Sequence, residues 1–165
     1  MNSVIEWINT EIINEGDNKI NVSDVEEIRD FALLWNLFEN ICCDKFASMD
    51  KINNIIDYKI DNFCKEDEIF KTTYEYFYDR YQNLSRFRAL NLRKSEKELI
   101  TKVLNNHYND ENNILKFIMA IIYRYRNNLF HGEKNMRYIR LQKENFNIAN
   151  NFLMYFIEKC RQKVW

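Results

Sequence analysis

Arg126 and His131 are the two residues of this chain best suited to act together on a substrate. They lie within the phrase RYRNNLFHGEK, residues 124–134, and four residues separate them. An imidazole with a pKa near ~6.5 serves as general acid or base at cellular pH. A guanidinium is always charged and presents donors in a fork that matches the oxygens of a phosphoryl group, so it can stabilise a pentavalent phosphorane. Such a pair suits cleavage of a phosphodiester without a metal. With no metal to generate hydroxide, the natural nucleophile is the ribose 2′-hydroxyl beside the scissile phosphate. DNA lacks that group, so the chemistry points to RNA.

The pair must be positioned by the element that carries it. If Ile118 marks the centre of a buried helical face, Arg126 falls about 80° away, on the rim of that stripe. His131 lies a further ~140° round in an unbroken helix, too far to converge with Arg126 on one small group. The helix must therefore end near His131. Gly132, one of only two glycines, provides the ending, because glycine enters the left-handed conformation at a helix C-terminus at little cost.

The rest of the chain predicts helices. Proline is absent from the 165 residues, so turn and hairpin signals are nearly missing. Val4, Ile8 and Ile12 predict a short first helix closed by Gly16. Ser23 and Glu26 form a capping box before a stripe through Ile28, Phe31, Trp35, Phe38, Cys42 and Phe46, a long core helix over roughly residues 24 to 47. Two further stripes run through Ile52, Ile55, Ile56, Ile60 and Phe63, and through Phe70, Tyr74, Phe77, Tyr81 and Leu84. Ser95 and Glu98 form a second capping box ahead of Leu99, Ile100, Val103 and Leu104. The last two stripes are Ile114, Ile118, Ile121, Tyr125 and Leu129, and then Phe146, Ala149, Leu153, Phe156 and Cys160. Without a linker or internal repeat, this predicts one all-α domain over residues 1–165, an antiparallel bundle of about five or six helices.

Composition narrows the function classes. With 46% hydrophobic and 15% aromatic residues the chain is not disordered, and a formal net charge of −1 carries no global signature of nucleic-acid binding. Any RNA contact must come from local clusters. The four cysteines form no C-x-x-C pair and none has ligand spacing to a histidine, so neither a metal nor a cofactor is expected. The acidic start, MNSVIEWINTEI, lacks the basic region and apolar run of a secretory signal, and no stretch approaches the ~20 apolar residues of a membrane span. The expectation is a cytoplasmic protein with reduced thiols and no membrane partner.

At this point the sequence resembles the HEPN domain family (higher eukaryotes and prokaryotes nucleotide-binding). Its ribonuclease members carry Arg, four to six residues, and His. Here RNNLFH supplies Arg126 and His131, with Asn127 at the polar position that often follows the arginine. The longer IIYRYRNNLFHGEK resembles a bacterial subgroup of the family, and FALLWNLFEN, around Trp35 and Glu39, resembles its earlier helix. The resemblance implies a helical bundle that pairs as a homodimer, with two Arg/His motifs in one composite site. It also implies metal-independent endoribonuclease activity in a toxin–antitoxin or anti-phage defence setting, with an antitoxin or defence-system protein as a further partner. Toxins of the subgroup paired with nucleotidyltransferase antitoxins often carry Tyr two positions after the histidine; this chain has Glu133.

The supporting candidates follow from the same phrase. Asn127 is expected to hold phosphate or orient His131, and Glu39 to orient Arg126. Arg124, Lys134 and Arg137, with Arg140 beyond them, flank the motif as RNA-backbone contacts, and Arg86, Arg88, Arg93 and Lys94 form a second basic strip. Tyr125 lies on the apolar stripe and is expected in the core, and His107 in an exposed loop. Two plainer readings stand beside these. His131 as a helix-terminal residue facing free carbonyls needs no catalysis, and a HEPN-like scaffold or nucleotide- or protein-binding subunit needs no active site.

Overall fold

Because so few turn-forming residues interrupt the chain, helices account for nearly all of its regular structure. The computed structural model describes residues 3–13, 19–59, 63, 66–107, 109–130 and 136–161, with the backbone path alone for 136–138. Gly16, Ile60, Cys64, His131, Gly132, Glu133, Lys134 and the Arg137 side chain lie outside the described residues. Among the described residues there are eight α-helices and no strand. They are α1 (Val4–Trp7), α2 (Val22–Cys42), α3 (Met49–Asn54), α4 (Glu68–Tyr81), α5 (Leu84–Arg88), α6 (Lys94–Leu104), α7 (Glu111–Phe130) and α8 (Lys143–Arg161). α1 and α3 continue as π-helical turns over Ile8–Ile13 and Ile55–Lys59, and a 3₁₀ stretch, Met136–Gln142, leads into α8.

Helix starts differ from the expected capping boxes by about half a turn. α2 begins after Asn21, whose backbone N–H donates to Asp24 Oδ2 at 2.7 Å, so Asp24 takes the part expected of Glu26. α6 begins after Arg93, whose N–H donates to Glu96 Oε2 at 2.9 Å, in place of the Ser95–Glu98 pair. In both cases an acidic residue two positions earlier reaches the first backbone donor. α2 also stops at Cys42, short of Phe46, because Asp44 and Lys45 take φ of 48° and 83°. Phe46 is consequently exposed, with Lys51 Nζ over its ring. Leu84 likewise leaves the preceding stripe: Asn83 Oδ1 accepts from Arg86 N–H at 3.1 Å and opens α5 as a separate helix.

The aromatic contacts fix the directions of the main helices. Phe31 meets Phe146 and Phe38 meets Phe156, so α2 and α8 run parallel. Phe70 meets Phe152 while Tyr76 donates to Asn145 Oδ1, so α4 runs against α8. Tyr74 meets Phe117 and Phe77 meets Tyr125, so α4 and α7 run together. α7 is the central helix; every residue from Phe117 to Ile122 is buried. The core comprises Phe31, Trp35, Phe38, Phe77, Phe117, Phe152 and Phe156 with the isoleucines of α3 and α7. Each large apolar side chain so buried contributes roughly 1.5–3 kcal/mol. Tyr125 is in this core at 2% exposure, and His107 is exposed in the loop after α6, both as the sequence predicts.

A smaller cluster of Ile13, Ile20 and Ile139 packs the N-terminal segment against the 3₁₀ stretch. The Asn9 side chain donates to the Ile20 carbonyl at 2.7 Å and accepts from the Ile20 N–H at 2.8 Å, a two-way clasp. Arg140 donates to Asp24 Oδ2 and to the Lys19 carbonyl. The segment that follows the Arg/His phrase is thus tied to the start of α2. Among the described residues no helix is long and apolar enough to cross a membrane.

Candidate functional site

The described part of α7 carries the phrase as far as Phe130. Arg126 is half-buried at the rim, where the helical geometry puts it. Its Nη1 donates to Asn127 Oδ1 at 3.2 Å, and its guanidinium lies 5.4 Å from the Phe130 ring centroid. Its Nε is shielded from solvent and has no hydrogen-bond partner among the described residues. An unmet donor on a permanent cation is costly to bury. Asn127 is buried at 6% exposure and holds Arg126, whereas the sequence assigned it to phosphate or His131.

Arg124 departs from its expected role as a contact to RNA. It is 7% exposed, and its Nε donates to Glu96 Oε2 at 2.6 Å. The guanidinium faces inward because α6 covers that side of α7, so the charge serves the α6–α7 interface. Asn128, 4% exposed, donates through Nδ2 to the carbonyls of Ala89 and Leu90, both at 3.3 Å, tying the turn after α5 to α7.

Glu39 also departs from expectation. Its Oε1 accepts the Ala47 N–H at 3.0 Å, and its carbonyl accepts from Cys43 and Lys45, so it closes the turn after α2. α2 runs against α7, and Glu39 stands about 12 Å of helix rise beyond Phe31, away from the end that carries Arg126. A partner on α2 for Arg126 would have to come from its other end. Of the flanking cations, Lys134 and the Arg137 side chain lie outside the described residues, as does His131. Arg140 is engaged with Asp24.

Cys42 and Cys43 are poor nucleophiles. The Cys160 thiol beside it, and then burial, push the Cys42 thiol far up, and burial pushes Cys43 up to about 12. Among the described residues no group of three or more His, Cys, Asp or Glu side chains is placed to hold a metal.

Two clefts among the described residues bear on the site. The larger, ≈ 340 Å³, lies between α3, α6 and α7 and mixes carboxylates such as Asp50 and Glu98 with Lys102 and Lys116. The smaller, ≈ 240 Å³, lies at the motif end of the bundle and contains Arg80, Arg86, Tyr81 and Tyr125. The sequence reading passed over Arg80 and Glu96. Arg80 lies about 60° from Phe77 around α4, which marks a cation at the edge of a buried stripe; Glu96 gave no such sign.

No protein-family model, curated protein or solved structure matches this chain.

Proposed function

We propose that this chain is a metal-independent endoribonuclease of HEPN type, acting within a toxin–antitoxin or anti-phage defence system. His131 is the acid/base and Arg126 stabilises the phosphorane as the ribose 2′-hydroxyl attacks. The cut leaves a 2′,3′-cyclic phosphate and a 5′-hydroxyl, since the attacking oxygen belongs to the RNA itself. Two copies pair so that their motifs form one composite site. The carrying observation is Arg126: a rim guanidinium in the phrase RNNLFH, half-buried and held by Asn127.

Purified protein incubated with total RNA in EDTA is expected to produce cyclic-phosphate ends and to leave 2′-O-methylated RNA and DNA intact. Arg126→Ala and His131→Ala should each reduce cleavage by about 10²–10⁴-fold, the range for loss of an acid/base or charge-stabilising group. Uncut RNA with wild-type protein, or undiminished cleavage by His131→Ala, overturns the proposal.

A second reading is favoured by one specific observation. Arg124 and Asn128 of the same phrase are both consumed in packing, on Glu96 and on the turn after α5. A non-catalytic HEPN-like scaffold, or a nucleotide- or protein-binding subunit, would need these contacts and not the chemistry. It predicts that Arg126→Ala and His131→Ala leave both RNA integrity and self-association unchanged.

A further inference from the structure

The smaller cleft is built differently from the rest of the surface. α4 contributes Arg80 and Tyr81, α5 contributes Arg86, α7 contributes Tyr125, and Gln142 and Asn145 close it from the start of α8. Its described lining includes two arginines and no carboxylate. Neither arginine forms an ion pair with a described residue. Arg80 is half-buried, lies 6.0 Å from the ring centroids of both Tyr76 and Tyr81 and hydrogen-bonds their hydroxyls, while its Nε is shielded from water without a partner among the described residues. A guanidinium held among phenols, with a second arginine beside it in the lining and no carboxylate among the described lining residues, is an arrangement that an anion completes.

The walls are held in place by hydrogen bonds of their own. The Tyr81 and Tyr125 hydroxyls are 2.6 Å apart. Tyr76 donates to Asn145 Oδ1 at 2.8 Å, and Asn145 Nδ2 donates to Gln142 Oε1 at 2.8 Å, which turns the Gln142 amide nitrogen away from Asn145. The cleft is thus shaped before any ligand enters. Outside it, Arg88, Arg93 and Lys94 are exposed on α5 and the turn beyond, so the basic strip of the sequence continues to the mouth of the cleft.

We infer that this cleft is a phosphate-binding subsite, in which Arg80 and Arg86 grip one tetrahedral phosphate group. The phosphate comes from one of two sources, the backbone of a bound RNA or a small phosphorylated molecule. Tyr125 lines the cleft and Arg126 is the next residue, about 100° further round α7, so the subsite and the Arg126 rim occupy different faces of the same helix end. The inference does not rest on cleavage, because phosphate binding is read without it.

Binding of inorganic phosphate to the full chain is measured by calorimetry and by shifts in the arginine Nε–Hε signals, against chloride at equal ionic strength. Wild type is expected to bind phosphate and to shift the Arg80 signal, with roughly tenfold weaker binding in Arg80→Gln and in Arg86→Gln, the loss of one charge-assisted contact. Arg86 is exposed, so R86Q keeps the fold and decides the matter if R80Q unfolds. A fluorescent 2′-O-methyl oligouridine then identifies the source. Displacement by phosphate in wild type, with weaker oligouridine binding in R86Q, identifies the RNA backbone. Phosphate binding that leaves the oligouridine undisturbed identifies a small phosphorylated ligand. Phosphate acting no differently from chloride, or binding wild type and R86Q equally, overturns the inference.

Discussion

Glu96 is where one substitution tests the packing that holds the motif-bearing helix. Its Oε2 accepts from two donors, Arg124 Nε at 2.6 Å and the Arg93 N–H at 2.9 Å, with the two ion-pair side chains only 4% and 8% exposed. Glu96→Ala leaves the Arg124 charge buried and uncompensated, which costs ~3–5 kcal/mol. It also strips the first donor of α6, adding ~1 kcal/mol. The total of ~4–6 kcal/mol is a large share of the ~5–15 kcal/mol available to a domain. In a chain of this size it lowers Tm by roughly 10–20 °C.

Urea unfolding followed by far-UV circular dichroism measures the change directly. Glu96→Gln keeps an oxygen for both donors and loses only the charge, so it falls between wild type and E96A. The double variant Arg124→Met with Glu96→Leu removes both charges and should recover all but the capping loss of ~1 kcal/mol. An E96A cost under ~1 kcal/mol, the figure for an exposed pair, would refute the buried-pair reasoning. So would a double variant less stable than E96A.

Other outcomes follow from neighbouring contacts. Asn128→Ala leaves the Ala89 and Leu90 carbonyls without their side-chain donor and should cost ~1–3 kcal/mol in the same urea assay. Tyr125→Phe removes one of two hydrogen bonds at the Tyr81 hydroxyl, whose pKa burial pushes up to about 12 and which keeps Arg80, and should cost ~0.5–1.5 kcal/mol. Because Tyr81 and Tyr125 titrate above the ordinary tyrosine value, their contribution to stability is complete below pH ~10 and is lost as pH rises toward 12; ultraviolet titration should show them among the late phenols, with Tyr74 and Tyr76, which burial also raises. The Tyr155 hydroxyl, and after it Lys159, holds Asp67 below the usual carboxylate range despite some desolvation, so Tyr155→Phe should move the Asp67 NMR titration upward. For Asp67 and for Asp24, which is lowered first by the Asn21 backbone, stability is present above the unfolded carboxylate pKa and is lost as pH falls through the lowered folded values.

Much of the fold is legible in the stripes. Phe31, Trp35 and Phe38 of α2 and Ile114, Ile118, Ile121 and Tyr125 of α7 all enter one core, because burial selects apolar residues at helical spacing. Ends are harder to read. Helices α2 and α6 begin from Asn21 and Arg93, since Asp24 and Glu96 reach those N–H groups at the same three-residue spacing that Glu26 and Glu98 have to Ser23 and Ser95, and local spacing does not decide between them. The break at Leu84 depends on an Asn83 cap that resembles any other polar residue in a helical run.

Two arginines of one helix separate what the sequence determines from what only the fold decides. Counting around α7 from Ile118 puts Arg126 at about 80° and Arg124 at about 120°, so periodicity alone makes Arg124 the more exposed. Arg126 is half-buried on the rim, as counted. Arg124 is 7% exposed, because α6 packs over that side of α7 and supplies Glu96 from a position 28 residues earlier. Local spacing determines a residue's direction from its own helix axis. Which neighbour waits in that direction, whether solvent or a carboxylate, depends on how separate helices pack. That packing made Arg124 structural, left the Nε of Arg126 without a partner among the described residues, and brought Arg80 and Arg86 to one cleft whose described lining has no carboxylate.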